Sequence, residues 1–331
     1  MRKFEGYTKG VNFGGWISQC DHTTKRYDEF ITEPDFENVK NMGFDHIRVP
    51  VDYDLIETEE GERKEGGYKY IDFAIEMCRK YGLNMILDLH RTPGYSFDPN
   101  HNKAGLFDSE ELQERFYKIW EDFAKRYGKD SDMLVFELLN EVTNKEFQPT
   151  WNRMIERCIK MIRTYSQDMK IIVGGYYNNS VEAVEALDEP YDDNIIYTFH
   201  FYEPLLFTHQ GAYWIATMDP EFRCKFEMTY GKYEELSAKL LCQAYSDFTE
   251  YDLNMVINEQ YFENLLMKAI KVAEERNVRL YCGEYGVIDK ADKAEADKWF
   301  TMFRKVMDKY EIGRAVWNYK EMDFEIERKQ Y

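Results

Sequence analysis

Two glutamates carry the clearest chemical signal in the sequence. Glu141 and Glu284 each stand at the end of a short apolar run. A pair of carboxyl groups can cleave a glycosidic bond, because one protonates the leaving oxygen while the other attacks the anomeric carbon. A single glutamate in such a position is more often an ion-pair partner, so the prediction of a catalytic pair depends on both residues reaching one site.

Polar or aromatic residues stand at the ends of several other apolar runs: Arg48, His90, Asn140, His200, Tyr202 and Trp317. We expect Arg48 to keep Glu284 ionised and oriented, since an adjacent cation stabilises a carboxylate. A structural ion pair is the alternative. We expect His90 and His200 to contact substrate hydroxyls or to support the carboxylates, with a purely structural role as the alternative.

Two tryptophans are candidate platforms for a sugar. Trp16 ends the first apolar run and Trp317 lies in the last one. An aromatic plane packs well against the apolar C–H face of a sugar ring. We therefore expect both side chains to contact the substrate.

Eight short apolar, β-branched runs must position these residues. They alternate with longer segments whose apolar residues have helical spacing, and near-continuous apolar runs are typical of parallel strands buried on both faces. This alternation predicts an α/β fold, a (β/α)8 TIM barrel, in which the carboxyl ends of the strands meet at one mouth. The runs cover residues 10–16, 44–50, 83–90, 133–140, 170–175, 194–200, 278–284 and 313–319.

The segments between the runs have recognisable helix ends. Thr32 can cap a helix over residues 33–42, and Ser109 can cap one over 109–127. Gly82 and Gly128 are placed to end the preceding helices in the left-handed conformation. The other predicted helices cover residues 68–81, 150–165, 233–245, 261–276 and 294–310.

The length of the chain is compatible with one catalytic domain over residues 1–331. It has 331 residues, and an α/β barrel routinely fills about 250 residues or more as one unit. The connection over residues 203–260 is too long for an ordinary loop, so we expect a small insertion subdomain over the barrel mouth. Twelve residues follow Tyr319, which predicts a short or absent eighth helix, or a truncated chain.

The charge of the chain argues against several partners. Its formal net charge is −19, whereas nucleic acids and anionic membranes attract cationic surfaces. A neutral substrate is favoured, and we expect a monomer. The first residues form no apolar signal segment, and the six cysteines, Cys242 among them, are scattered. We therefore expect free thiols in a cytoplasmic protein, with a secreted mature form as the alternative.

The sequence lacks the motifs of other chemistries. It contains no G-x-S-x-G, no G-x-G-x-x-G and no H-E-x-x-H, which argues against a serine nucleophile, a nucleotide cofactor and a zinc protease site. We predict no cofactor and no metal. Because His90, His200, Glu141 and Glu284 are residue types that bind metals, a metal-dependent hydrolase remains an alternative.

Several segments resemble glycoside hydrolase family 5, the cellulase family A, in the family's order. Residues 134–143 (LVFELLNEVT) are similar to its Asn-Glu signature. The resemblance spans nearly the whole chain. Its other segments are residues 14–16, 47–50, 88–90, 199–202, 282–286 and 315–319.

The resemblance implies a role for each site residue. Glu141 would be the general acid/base and Glu284 the nucleophile. Asn140 would bind the 2-hydroxyl of the sugar next to the scissile bond, and Tyr202 would hydrogen-bond Glu284. The family often has a cis peptide after the tryptophan that floors the subsite of this sugar. The other implied members of that subsite are Arg48, His90 and His200, with Trp317 as the floor.

The predicted function is that of a retaining endo-acting β-glucanase. It would hydrolyse β-1,4 linkages of cellulose-like or mixed-linkage β-1,3-1,4-glucan through a covalent glycosyl-enzyme, with a β-glucan polysaccharide or oligosaccharide as its partner. A β-mannanase or glucomannanase and an oligosaccharide-preferring β-glucosidase would use the same residues. A non-catalytic glucan-binding protein is a further alternative, which the intact carboxylate pair disfavours.

Overall fold

Eight parallel strands form a closed barrel in which each strand bonds to the next and β8 returns to β1. The computed structural model describes residues 1–98, 105–241 and 251–326. The predicted TIM barrel is confirmed, and each predicted run overlaps one strand. The strands are β1 (Lys9–Asn12), β2 (His46–Asp52), β3 (Asn84–Arg91), β4 (Leu134–Glu137), β5 (Lys170–Val173), β6 (Ile195–Phe201), β7 (Arg279–Tyr285) and β8 (Gly313–Val316).

Ten helices connect the strands in the described part of the chain, and two of them are only four residues long. A 3-10 helix, Val181–Ala186, stands in the connection between β5 and β6. No helix follows β8 within the described residues, which extend to Ile326. The helices are α1 (Thr24–Glu29), α2 (Glu33–Asn41), α3 (Tyr68–Tyr81), α4 (Glu110–Tyr127), α5 (Gln148–Arg163), α6 (Tyr176–Asn179), α7 (Leu205–Thr208), α8 (Tyr230–Leu240), α9 (Glu259–Glu275) and α10 (Lys293–Lys309).

Local sequence signals set most of the helix ends. Thr32 begins α2 with a capping box, and the Ser109 side chain accepts a hydrogen bond from the Leu112 N–H at the start of α4. Gly82 ends α3 in the left-handed conformation, with φ 62°. The same prediction for Gly128 is wrong, because α4 continues there into a 3-10 turn with φ −59°.

The lower interior of the barrel is an apolar floor. Every second strand residue faces the barrel axis, and these positions form one buried cluster that the N-terminal segment completes. Two residues after Ile86 and Val135, the chain places Asp88 and Glu137, which are fully buried, as is Arg48 on β2. The cluster consists of Phe4, Tyr7, Ile86, Val135, Ile172, Ile196, Tyr281 and Ala315.

The described parts of the long insertion, residues 203–241 and 251–260, pack against α9 and α10. The Phe226 N–H donates to Glu295 on α10 at 2.8 Å, and the Tyr233 hydroxyl donates to the Phe226 carbonyl at 2.6 Å. The predicted helix over 233–245 corresponds to α8, but residues 242–250, with Cys242, lie outside the described residues. That the insertion is a separate subdomain stays a prediction.

Two further properties of the described residues concern the cysteines and the helices. The five cysteines among them, which exclude Cys242, are free thiols. No helix found in residues 1–98, 105–241 and 251–326 has the length and apolar character that a bilayer span requires.

Candidate active site

Seven predicted site residues line one cleft at the carboxyl ends of the strands. The cleft has a volume of about 1080 Å³. Strand β4 ends at Glu137, so Asn140 and Glu141 extend from the segment after the strand rather than from its last residues. Arg48 is fully buried below them. The seven residues are His90, Asn140, Glu141, His200, Tyr202, Glu284 and Trp317.

Trp16 does not belong to this cleft. Its side chain is completely buried, its Nε1–H donates to the Tyr27 carbonyl at 2.8 Å, and its ring packs edge-on against Phe73. Strand β1 ends at Asn12, well before this residue. The expectation that Trp16 contacts substrate is therefore wrong, because the side chain has no accessible face.

Trp317 forms one wall of the cleft. Its ring lies parallel to the His90 ring, with 4° between the planes and 5.9 Å between the centroids. The peptide bond to Asn318 is cis. Glycine at position 14 leaves room for the indole, since a Cβ there would lie 2.4 Å from a ring atom. An indole held in this way could pack against a sugar ring.

Arg48 is the centre of the buried charge network. Its Nε and Nη2 donate to the two oxygens of Glu137 at 2.6 and 3.1 Å, and its Nη1 donates to Glu284 Oε1 at 2.8 Å. Asp88 Oδ2 lies 3.0 Å from Nη2. A bidentate pair fixes the plane of the guanidinium, so Glu137 sets the orientation from which Arg48 reaches Glu284. The other acceptors, at 2.9–3.0 Å, are the side-chain oxygens of Asn12 and Asn140.

Glu284 is held by a donor on each oxygen. Arg48 donates to Oε1, and the Tyr202 hydroxyl donates to Oε2 at 2.9 Å. Burial raises the pKa of Tyr202 well above its usual range, so the phenol keeps its proton for this bond. With 7 % of its side chain exposed, Glu284 is an oriented carboxylate that could attack a bound substrate.

Glu141 has a different environment. Its Oε1 lies 2.9 Å from His200 Nδ1, and its Oε2 accepts from Asn178 Nδ2 at 2.8 Å. Burial raises the pKa of Glu141, and the bond from Asn178 opposes that shift. A carboxyl group with a raised pKa could serve as a proton donor near neutral pH.

His200 is neutral and oriented. Burial lowers its pKa to about 4. Its Nε2 lies 3.4 Å from Asn179 Nδ2, an amide donor, which leaves the ring proton on Nδ1 beside Glu141. His200 can therefore support the carboxyl group of Glu141 by a hydrogen bond.

Glu141 and Glu284 face each other across a short gap. One oxygen of each lies within 4.8 Å of the other, and His200 Nδ1 lies 3.6 Å from Glu284 Oε2. This separation is close to the spacing of about 5–5.5 Å between the carboxyl groups of retaining glycosidases, and below the range of about 6.5–9.5 Å in inverting ones.

His90 belongs to a second buried pair. Its Nδ1 lies 2.6 Å from Asp88 Oδ2, and its Nε2 lies 3.2 Å from Gln19 Oε1. Burial lowers the pKa of His90 to about 4 and raises the pKa of Asp88 to about 7, although Arg48 opposes the second shift. His90 is therefore neutral at the mouth of the cleft, where it could hydrogen-bond a sugar hydroxyl.

Two groups of side chains in the described residues could offer atoms to a metal ion. In the first, Glu141, His200 and Glu284, the Arg48 guanidinium already donates to Glu284 and competes with a cation. In the second, the Arg91 guanidinium lies 2.8 Å from an Asp52 oxygen and stands where a cation would bind. The second group consists of His22, Asp52 and Asp54. Independence of metal stays a prediction.

Glu137 and Asn178 are among the residues that contact the predicted pair or its support and that sequence reasoning missed. Glu137 lies within β4 rather than after it, and the signal was a charged residue inside an otherwise apolar strand, two positions after Val135. Asn178 lies in the short α6 turn after β5. Its signal was the Asn-Asn pair after Gly-Gly, which favours a left-handed turn.

Comparisons with known proteins agree with this geometry. The sequence pattern of the family described as "Cellulase (glycosyl hydrolase family 5)" matches residues 7–323. The chain is 43% identical to cellodextrinase A of Ruminococcus flavefaciens over 95% of this chain and 86% of the relative. It is 40% identical to endoglucanase C of Acetivibrio thermocellus over 97% and 93% of the two chains.

A solved structure gives the same result for the fold. The cellulose synthase subunit Z of Clostridioides difficile superposes with a TM-score of 0.77, at 26% identity, over 97% of this chain and 94% of that one. A TIM barrel with a paired-carboxylate cleft is the architecture of a glycoside hydrolase, and this chain is one, with a glycan as its substrate. It belongs to glycosyl hydrolase family 5.

Proposed function

We propose that the protein is a retaining endo-acting β-glucanase, with Glu284 as nucleophile and Glu141 as general acid/base. The observation that supports this best is the approach of a Glu141 oxygen to a Glu284 oxygen within 4.8 Å, in a cleft large enough for a sugar chain. Their surroundings differ in the way the two roles require, because a guanidinium donates to Glu284 while burial raises the pKa of Glu141.

In the first step, a Glu284 oxygen attacks the anomeric carbon as the bond to the leaving oxygen breaks. Glu141 gives its proton to that oxygen, and a covalent glycosyl-enzyme forms. Asn140 uses its Oδ1 to accept from Arg48 Nη2 at 2.9 Å. The amide nitrogen of Asn140 would donate to the sugar 2-hydroxyl, a bond that strengthens in the transition state.

In the second step, Glu141 acts as a base. It takes a proton from a water molecule that attacks the same carbon, and Glu284 leaves with both electrons of its bond to the sugar. The Tyr202 hydroxyl, 2.9 Å from Oε2, would stabilise the departing carboxylate. Trp317 and His90 would hold the sugar through ring packing and a hydroxyl contact.

A β-1,4-glucan or its oligosaccharides is the substrate class that we propose. The names of the two relatives, a cellodextrinase and an endoglucanase, support this choice. A preference for short glucan chains over long ones is the second candidate. It is supported by Tyr213 and Trp214 of the insertion, which are exposed and line the cleft. Side chains from an insertion can close one end of a groove and limit the length of chain it binds.

Reducing-sugar release tests the proposal. We would incubate the enzyme with mixed-linkage β-glucan, carboxymethyl-cellulose, glucomannan, galactomannan, xyloglucan and short cellodextrins, with Glu284→Gln in parallel. Release from glucans or cellodextrins that disappears in the variant is the expected result. Release from mannans alone would contradict the proposed substrate class, and full activity of Glu284→Gln would contradict the proposed mechanism.

A further inference from the structure

The α6 turn, which follows β5, has an unusual backbone. Tyr177, Asn178 and Asn179 all adopt the left-handed region, with φ of 48°, 57° and 55°. Consecutive residues other than glycine rarely do so, although asparagine tolerates it best. Such conformations persist where the surrounding structure imposes them, and they are concentrated at functional sites.

Hydrogen bonds tie this turn to the segment that carries Glu141. The Tyr177 N–H donates to the Thr143 carbonyl at 3.2 Å, and the Asn178 N–H donates to the Val142 carbonyl at 2.9 Å. The Tyr95 hydroxyl also donates to the Glu141 carbonyl at 2.9 Å. The main chain from Glu141 to Thr143 is therefore held in place.

The two asparagines of the turn serve the two oxygens of Glu141. Asn178 Nδ2 donates directly to Oε2 at 2.8 Å. Asn179 is fully buried and reaches His200 Nε2 at 3.4 Å, while His200 Nδ1 faces Oε1 at 2.9 Å. Gly174 makes room for Asn179, because a Cβ at that position would lie 2.2 Å from its Oδ1.

We propose that Asn178 is a positioning residue for the general acid/base, held by the left-handed turn so that its amide fixes Glu141 Oε2 at the open side of the cleft. This inference rests on the proposed role of Glu141. The bond favours the ionised form of Glu141, the form that acts as base in the second step. When Glu141 carries its proton as an acid, the same amide holds the carboxyl group toward the leaving oxygen.

A substitution at Asn178 leaves the other charged or titratable groups around Glu141 in place. A change in the pH dependence of activity therefore results from the loss of the Asn178 amide. These groups come from β2, β3, β6 and β7 and the segments after β3 and β6: Arg48, Asp88, His90, Tyr95, His200, Tyr202 and Glu284. The side chain of Asn178 is exposed at the cleft, so its removal leaves no buried cavity.

Asn178→Gly is the informative variant, because glycine keeps the left-handed backbone and removes the amide. We expect the basic limb of the pH profile of kcat/KM to move up by about 0.5–1 pH unit, since a bond to the ionised form is lost. We expect kcat/KM on polysaccharide to fall about tenfold, and to fall less on an aryl glycoside whose leaving group needs no proton. Asn178→Asp should move the limb further in the same direction.

Asn277→Gly is the matched control, since Asn277 also has a left-handed backbone, with φ 48°, but stands between α9 and β7 at the opposite end of the barrel. Its profile should match that of the unsubstituted enzyme. An unmoved basic limb in Asn178→Gly, with equal losses on both substrates, would overturn the inference. If Glu141→Ala slows hydrolysis of polysaccharide and of the aryl glycoside equally, the role proposed for Glu141 fails instead.

Discussion

Removing the charge of Glu137, the bidentate partner of Arg48, tests whether the buried network holds the site. Both side chains are completely buried, and Nε lies 2.6 Å from Oε2. Removing one partner of such a pair costs about 3–5 kcal/mol. Because Arg48 keeps Asp88 at 3.0 Å and Glu284 at 2.8 Å, we expect Glu137→Gln to lower the free energy of unfolding by the low end of that range, about 3 kcal/mol.

An exposed pair with the same shortest distance provides the control. Arg157 Nη1 lies 2.6 Å from Glu114 Oε1, with 56% and 58% of the two side chains exposed. Glu114→Gln should cost less than about 1 kcal/mol, because water screens the pair and compensates its loss. The two substitutions make the same chemical change in pairs with the same shortest distance, 2.6 Å, and the pairs differ in burial.

Urea unfolding of both variants, followed by tryptophan fluorescence and circular dichroism, measures the difference. Glu137→Gln should also lower kcat by about 10–100-fold with a smaller effect on KM, because Arg48 loses the bidentate partner that orients it toward Glu284. Equal stability losses for the two variants would refute the reasoning. So would full activity of Glu137→Gln, since Arg48 would then need no second partner to orient Glu284.

Three further predictions concern proton transfer, pH and metal. Glu141→Ala should slow hydrolysis of polysaccharide far more than that of an activated aryl glycoside, whose leaving group needs no proton, and equal losses would contradict the acid role. Burial lowers the pKa of His90 and His200 to about 4. As the pH falls from about 6.5 toward 4, the unfolded chain binds protons at these rings that the folded protein does not. The free energy of unfolding should therefore fall over this range, by up to about 3 kcal/mol for each ring. In His90→Gln, the free energy of unfolding measured by chemical denaturation should fall less over this pH range. An unchanged dependence of that free energy on pH would count against the burial argument. Activity should persist in excess EDTA, whereas its loss and recovery with added metal would favour a metal-dependent hydrolase.

The barrel could be predicted from the sequence because its signal is repeated and local. Each strand is an apolar run and each helix has its own period and caps, so errors at single boundaries do not change the topology. The boundaries themselves were less accurate. Strand β1 ends at Asn12, and the chain beyond it turns Trp16 into the core rather than toward the cleft, a direction that the apolar pattern does not encode.

The candidate site could be predicted only in part. Residues that follow strands were found, because the carboxyl ends of parallel strands meet in a barrel. Glu137 was missed because its importance lies in a contact with Arg48, 89 positions away in sequence. Asn178 was missed for a similar reason, because the turn signal is local but its reach to Glu141 depends on how two loops pack.

Trapping of the glycosyl-enzyme tests the central claim most directly. An activated 2-deoxy-2-fluoro-β-cellobioside reacts with a retaining enzyme but is released slowly, because the fluorine destabilises the transition state of the second step. We predict that the intact enzyme gains the mass of one fluoroglycosyl group, and that peptide mapping locates it on Glu284. A protein that turns over glucan with no adduct, or with the adduct on another residue, would contradict the account.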